Sequence, residues 1–134
     1  MIQFFVPGKP QSQGSKVRTK YGVRETNKEL GPWRERVALA AHAALDGQGP
    51  LRGPVAVTLY FRLYRPLSAP KKRTPPATKA PDIDKLSRAC LDAMTHVLYD
   101  DDAQVTTLLA SKRVAEIGEE LGVNIKVWEE KPEA

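Results

Sequence analysis

The stretch PDIDKLSRACLDAMTHVLYDDDAQV, running from Pro81 to Val105, organises the chain. Asp82 and Asp84 open it, and Asp100, Asp101 and Asp102 close it. Between them Ile83, Leu86, Cys90, Ala93, Met94 and Val97 recur at the spacing of one helical face. This predicts an amphipathic helix of about 14 residues, about 21 Å long. Pro81 and the first aspartates suit a helix start, where free N–H groups and the positive dipole end favour anions. Residues two apart on a helix point in roughly opposite directions. Asp82 and Asp84 therefore converge only if Asp82 precedes the helix in extended or turn geometry, an approach consistent with Pro81. For Asp102 to join them, the segment 97–101 must turn back or the helix must be shorter than its pattern. The sequence leaves both open.

Clustered carboxylates of this kind point to hard divalent cations. Mg²⁺ takes oxygen ligands, keeps several waters, and uses one or two carboxylates together with substrate phosphate oxygens. Ions so held activate water and stabilise the leaving oxygen in phosphodiester hydrolysis. The competing reading is that Asp82 or Asp84 caps the helix and Asp100–Asp102 forms a solvated turn.

Three short motifs favour the first reading. Asp82-Ile83-Asp84, then Leu91-Asp92-Ala93-Met94, then Asp101-Asp102-Ala103-Gln104-Val105 resemble the RusA family of Holliday junction resolvases. The N-terminal FFVPGKPQSQGSK and the later PWRERV look like phage and actinobacterial members. The resemblance implies a homodimeric, Mg²⁺-dependent endonuclease acting on four-way junction DNA in a bacterial cytoplasm. Its three catalytic and metal-binding aspartates fall on Asp82, Asp84 and Asp102. The family's helix lysine falls on Arg88, a departure, because arginine binds phosphate through a planar fork and does not give up its proton. Lys85 stands where the family often has asparagine. Asp101 is expected to support the site, and Asp92, one turn beyond Arg88, to hold its guanidinium through an i,i+4 pair.

The net charge of +5 hides an asymmetry. Residues 1–80 carry 15 lysines and arginines against four acids, and residues 81–134 carry six against 12. A basic region beside an acidic cluster suits an enzyme that holds a polyanion with one part and a metal with another. At 134 residues the chain is expected to form one domain. No run approaches the ~20 apolar residues of a membrane span, and no signal peptide is apparent. Cys90, the single cysteine, lies on the apolar helix face as a structural thiol.

Outward from the acidic stretch, Arg65 to Pro81 forms a basic, proline-rich loop. It holds Pro66, Pro70, Pro75, Pro76 and Pro81 with Arg65, Lys71, Lys72, Arg73 and Lys79, and no acid. Leading straight into Asp82, it reads as a DNA-backbone contact, or else as a flexible spacer. Val55, Val57, Leu59, Phe61 and Leu63 alternate along a long central strand. Tyr60 and Tyr64 on its other face could stack on bases, although packing beneath a helix is the commoner fate.

Ile2 to Val6 predicts a first strand. A polar segment follows with Lys9, Lys16 and Arg18 as further phosphate contacts, and with a small hairpin about Tyr21-Gly22. Trp33, Val37, Ala40, Ala41, Ala44 and Leu45 form one helical stripe with Pro32 at its first position, ended by Gly47. Arg34 and Arg36 leave that stripe and could meet DNA. His42 and His96 lack partners at metal-ligand spacing. Residues 104–115 and 121–128 predict two strands paired as a hairpin around 116–120, with a frayed tail over 129–134.

The expected fold is α+β: a mixed sheet of about four main strands with two helices packed on it. A DNA-binding protein without catalysis remains the rival reading. A PD-(D/E)xK nuclease, suggested by Pro81-Asp82 and Asp84-Lys85, is disfavoured because those two halves normally come from separate strands.

Overall fold

The computed structural model describes residues 1–14, 16–25 and 27–131, with backbone alone for residues 16, 17 and 23–25. The elements run β1 (Ile2–Pro7), β2 (Lys16–Thr19), β3 (Gly22–Glu25), α1 (Leu30–Leu45), β4 (Val55–Leu63), α2 (Ile83–Met94), β5 (Val105–Val114) and β6 (Gly122–Glu129). β1, β6, β4 and β5 form a mixed sheet in that order, and β2 with β3 forms the expected separate hairpin. The α+β expectation holds.

β4 is central because its inward residues Val55, Val57, Leu59, Phe61 and Leu63 are all buried, and it pairs on both edges. β5 lies parallel to it on one side and β6 antiparallel on the other. The hairpin expected between β5 and β6 does not form: after Val114 the chain passes β4 and enters on its far edge. Val123, Ile125 and Val127 are fully buried there, between β1 and β4, a position that satisfies both edges of β6. β4, α2 and β5 thus make a crossover unit, as parallel neighbours require.

Both helices contribute to one core. α1 buries Leu30, Trp33, Val37, Ala41 and Leu45, with Ala40 and Ala44 half-buried. It starts two residues earlier than predicted, so Pro32 sits within the first turn, where a missing N–H costs nothing. Asp46 and Gly47 end it in left-handed geometry (φ 50° and 83°). α2 is shorter than its apolar pattern and stops at Met94. Ile83 is exposed and Val97 lies beyond the helix, while Leu86, Ala89, Cys90, Ala93 and Met94 are buried. Burial pushes the Cys90 thiol up to about 12 and leaves it unreactive.

Neither tyrosine of the central strand packs beneath a helix. Tyr60 lies on the open sheet face, and Tyr64 follows the strand end with half its surface exposed. The proline-rich segment 65–81 is not a structureless spacer either. It wraps around the Arg65 guanidinium, which donates to the carbonyls of Pro70 (2.5 Å), Arg73 (2.7 Å) and Ala115 (3.2 Å) and to Thr74 Oγ1 (2.8 Å). Thr74 in turn donates to Glu116 at 2.6 Å. Among the described residues no helix is long and apolar enough to cross a membrane. The expected tail lies in part, over 132–134, outside the described residues.

Candidate metal centre

Asp82 takes extended geometry (φ −74°, ψ 140°) immediately before α2 and makes no side-chain cap hydrogen bond. That is the geometry its convergence with Asp84 requires, and it removes the capping explanation for this residue. Asp84 follows in the first helical turn, exposed and without an ion pair among the described residues. Lys112 on β5 reaches across and donates to the carbonyls of Lys79 (2.9 Å) and Pro81 (2.8 Å). It fixes the backbone that leads into Asp82.

The other end of the stretch is built by Tyr99 and Gln104. Tyr99 is fully buried, and its hydroxyl donates to the Leu91 carbonyl at 2.9 Å. The His96 N–H donates to the Tyr99 carbonyl at 2.7 Å, with His96 in left-handed geometry (φ 68°). This turns the chain sharply after α2. Asp101 then caps a short 3-10 turn, Asp102–Gln104, accepting from the Ala103 N–H at 2.8 Å. Gln104 completes the reciprocal box. Its Oε1 accepts from Asp100 N–H (2.9 Å) and Asp101 N–H (3.1 Å), and its Nε2 donates to the carbonyls of Leu51 (3.1 Å) and Gly53 (3.0 Å). All four of its hydrogen-bonding positions are used.

Two of the five aspartates at the ends of the stretch thus have structural duties. Asp101 is a cap, and Asp100 pairs with Arg52 at 3.4 Å on the surface. Asp82, Asp84 and Asp102 remain exposed without an ion pair among the described residues. Asp84, Arg88 and Asp102 line one concavity of about 840 Å³ along α2, together with Gln13, Lys85 and Leu108. Partial desolvation, a hydrogen bond with Asp101 and the charges of Asp92 and Asp101 raise the Asp102 pKa above its ordinary value, and Arg88 opposes them. Arg88 makes no ion pair among the described residues. The pair expected between it and Asp92 is replaced: Asp92 lies 3.9 Å from Arg34, which α1 brings alongside as it packs on α2.

Asp82 does not line this concavity, and among the described residues no three acidic, imidazole or thiol side chains gather closely enough to hold an ion. Asp102 stands beside Arg88 and Asp92, in the second half of the helix, rather than beside Asp82. What the fold presents is two carboxylates on one groove, a third on the residue that precedes α2, and oxygen donors only. This set fits a hard cation that keeps water and completes its shell with phosphate oxygens. It does not fit zinc, which favours nitrogen and sulfur.

Lys71, Lys72, Arg73, Lys79, Lys9 and Arg18 are exposed. Lys16 lies in β2, with its side chain outside the described residues, as is Ser15. Arg65 is absorbed by its loop, and Arg36 donates to the Pro7 carbonyl at 3.1 Å, so with Arg34 paired to Asp92 neither α1 arginine stands free. The sequence reading missed Lys112, Gln104 and Gln13. Lys112 had a signal, a lysine in phase with half-buried Ala110 and buried Val114. Gln104 had one in the Asp101-x-x-Gln104 capping pattern. Gln13 had none; its N–H donates to the Lys85 carbonyl at 3.3 Å, holding the N-terminal loop against α2, and its buried Oε1 has no partner among the described residues.

Comparison with known proteins gives two findings. The family model for endodeoxyribonuclease RusA matches residues 7–128. The chain is also 32% identical over 130 residues to the uncharacterized protein YqaN of Bacillus subtilis (strain 168), covering 86% of this chain and 89% of that protein.

Proposed function

The chain belongs to the RusA endodeoxyribonuclease family, metal-dependent nucleases of junction DNA, and on that premise we propose that it resolves four-way junctions with Mg²⁺ as a homodimer making paired nicks. One observation carries the assignment to this groove. Asp84 and Asp102, without ion pairs among the described residues, share it with Arg88, likewise unpaired among them, while the neighbouring acids that the fold needs are already engaged.

Bound there, Mg²⁺ would polarise the scissile phosphate and lower the pKa of the attacking water. Asp84 and Asp102 would hold the cation, with Asp82 as a further oxygen ligand. The planar Arg88 fork takes two phosphate oxygens as charge develops on them. It neutralises and does not transfer a proton. Asp101 acts through the turn that carries Asp102. Lys9, Lys16, Arg18, Lys71, Lys72, Arg73 and Lys79 hold the DNA arms by their phosphates, which positions the junction without reading its sequence. Two-fold pairing of chains supplies the symmetric second nick.

The test is a nicking assay on a synthetic four-way junction against linear duplex. Asp82→Asn, Asp84→Asn and Asp102→Asn should each abolish cutting and leave junction binding intact or tighter, because a carboxylate facing phosphate is neutralised. Mg²⁺ at about tenfold its Kd should stabilise the native protein by about 1.4 kcal/mol, and less in Asp84→Asn. Normal cutting by any of the three variants removes that residue from the site.

A further inference from the structure

A second cavity, of about 600 Å³, opens on the other side of Pro81. Its walls are prolines of the basic loop (Pro66, Pro70, Pro75, Pro76) facing Pro10 of the N-terminal loop, with Leu63 and Val114 in its lining. Proline presents no N–H, so these walls are flat and apolar with few polar groups to satisfy. Gln11, Ser12 and Thr78 supply hydrogen-bonding edges, and Lys9 and Lys79 supply charge. No acid lines it.

Tyr64 is the aromatic of this cavity. It is 49% exposed, and the Lys9 ammonium lies 5.3 Å from its ring centroid. The cavity does not depend on a loose loop, since the Arg65 hydrogen bonds fix its outer wall. Lys112 donates to both the Lys79 and Pro81 carbonyls, which links the rim of the cavity to the approach to Asp82.

We propose that this cavity receives a single unpaired nucleobase from the DNA strand whose phosphate lies at the aspartates. The reading rests on the endonuclease assignment above. The base stacks on Tyr64 between proline faces, its edge meets Gln11, Ser12 or Thr78, and Lys9 and Lys79 neutralise the flanking phosphates. A planar ligand with an apolar face, a polar edge and an attached anion matches each element of the lining. Nucleotides at a crossover are the least constrained by stacking and pairing, so extrusion is cheapest there. Aromatic stacking is also tolerant of base identity, which suits an enzyme directed by junction shape.

The experiment crosses protein and DNA changes. Tyr64→Ala and the cavity-filling Ala77→Trp are compared with the native chain by anisotropy on junctions that are intact or carry one abasic nucleotide at each position flanking the crossover. Thermal melts confirm that both variants fold. Each variant should bind the intact junction about tenfold more weakly. At one abasic position the loss should fall below about twofold, because the base that used the cavity is gone. Equal losses on every abasic junction would overturn the proposal, as would native affinity in both variants while the native chain still cuts junctions. A changed molecular mass in light scattering, with no coupling to abasic position, would instead make the cavity a contact between copies of the chain. Failure of the native chain to bind or cut junction DNA would sink the endonuclease assignment and this inference together.

Discussion

Gln104 offers the most direct test of how the acidic turn is held. Gln104→Ala removes four hydrogen bonds at once. Each contributes about 0.5–1.5 kcal/mol net. The Asp100 and Asp101 N–H groups are exposed and regain water, so most of the cost falls on the Leu51 and Gly53 carbonyls, for a total of about 2 kcal/mol. For a chain of this size that lowers Tm by about 6–8 °C. Gln104→Glu keeps the shape and the acceptor but points a carboxylate oxygen at both carbonyls, and should cost about 3 kcal/mol near neutral pH. That excess should shrink in acid, where a protonated glutamate can donate again. Because Asp102 stands on this turn, junction cutting should fall at least about tenfold at temperatures where both variants remain folded, since small misplacements of reacting groups are costly. Calorimetric melts and a nicking assay read the two effects separately. A Gln104→Ala protein that melts within about 1 °C of the native chain, by the same stability scale, and cuts at the native rate would refute the reasoning.

Lys112→Met should slow cutting while junction affinity stays within about twofold, since the lysine holds backbone rather than DNA; single-turnover rates beside anisotropy titrations check this. Changing Lys71, Lys72 and Arg73 together to alanine should flatten the slope of log K against log [salt] by up to about 2.7 units, with little change in Tm, as measured by titrations at several salt concentrations; an unchanged slope would move DNA holding to Lys9–Arg18. Glu119 is held down to about 2, first by its hydrogen bonds from Arg113 (2.6 Å each) and then by the Glu116 N–H. Its folded pKa lies below its unfolded value, so its contribution is present above about pH 4.5 and is lost as pH falls towards 2. Arg113→Ala should therefore lower stability at neutral pH and converge with the native chain in acid melts.

Most of the architecture could be read locally. The β4 alternation predicted a central strand because alternation reports burial of one face, and Trp33, Val37 and Leu45 marked α1 in the same way. The β5–β6 hairpin failed because alternation says which face is buried and nothing about which strand lies alongside. A segment such as 115–121 can either turn back or pass over a neighbour. At the site, the helical period made extended or turn geometry at Asp82 a condition for meeting Asp84, and Asp82 is extended. The Asp92 partner did not, because Arg34 reaches it only once α1 lies on α2. The basic loop showed a similar limit: composition revealed its charge, but only tertiary contact showed that Arg65 spends its charge internally while its neighbours remain exposed.

The position of β6 also bears on when the molecule can fold. The first strand in sequence, β1, pairs in the sheet only with the last, Ile2 opposite Val127 and Pro7 opposite Gly122, and the same last strand covers one edge of β4. During synthesis α1, β4, α2 and every acidic residue of the groove emerge while β1 has no strand beside it and β4 has one bare edge. Contacts of such long sequence separation close late. A nascent chain stalled before Gly122 would carry the full set of aspartates without the sheet that orients them, and would be exposed to pairing with other chains through those strands. Junction-cutting activity should therefore appear only after the final strand has left the ribosome, not in proportion to the length of chain already made.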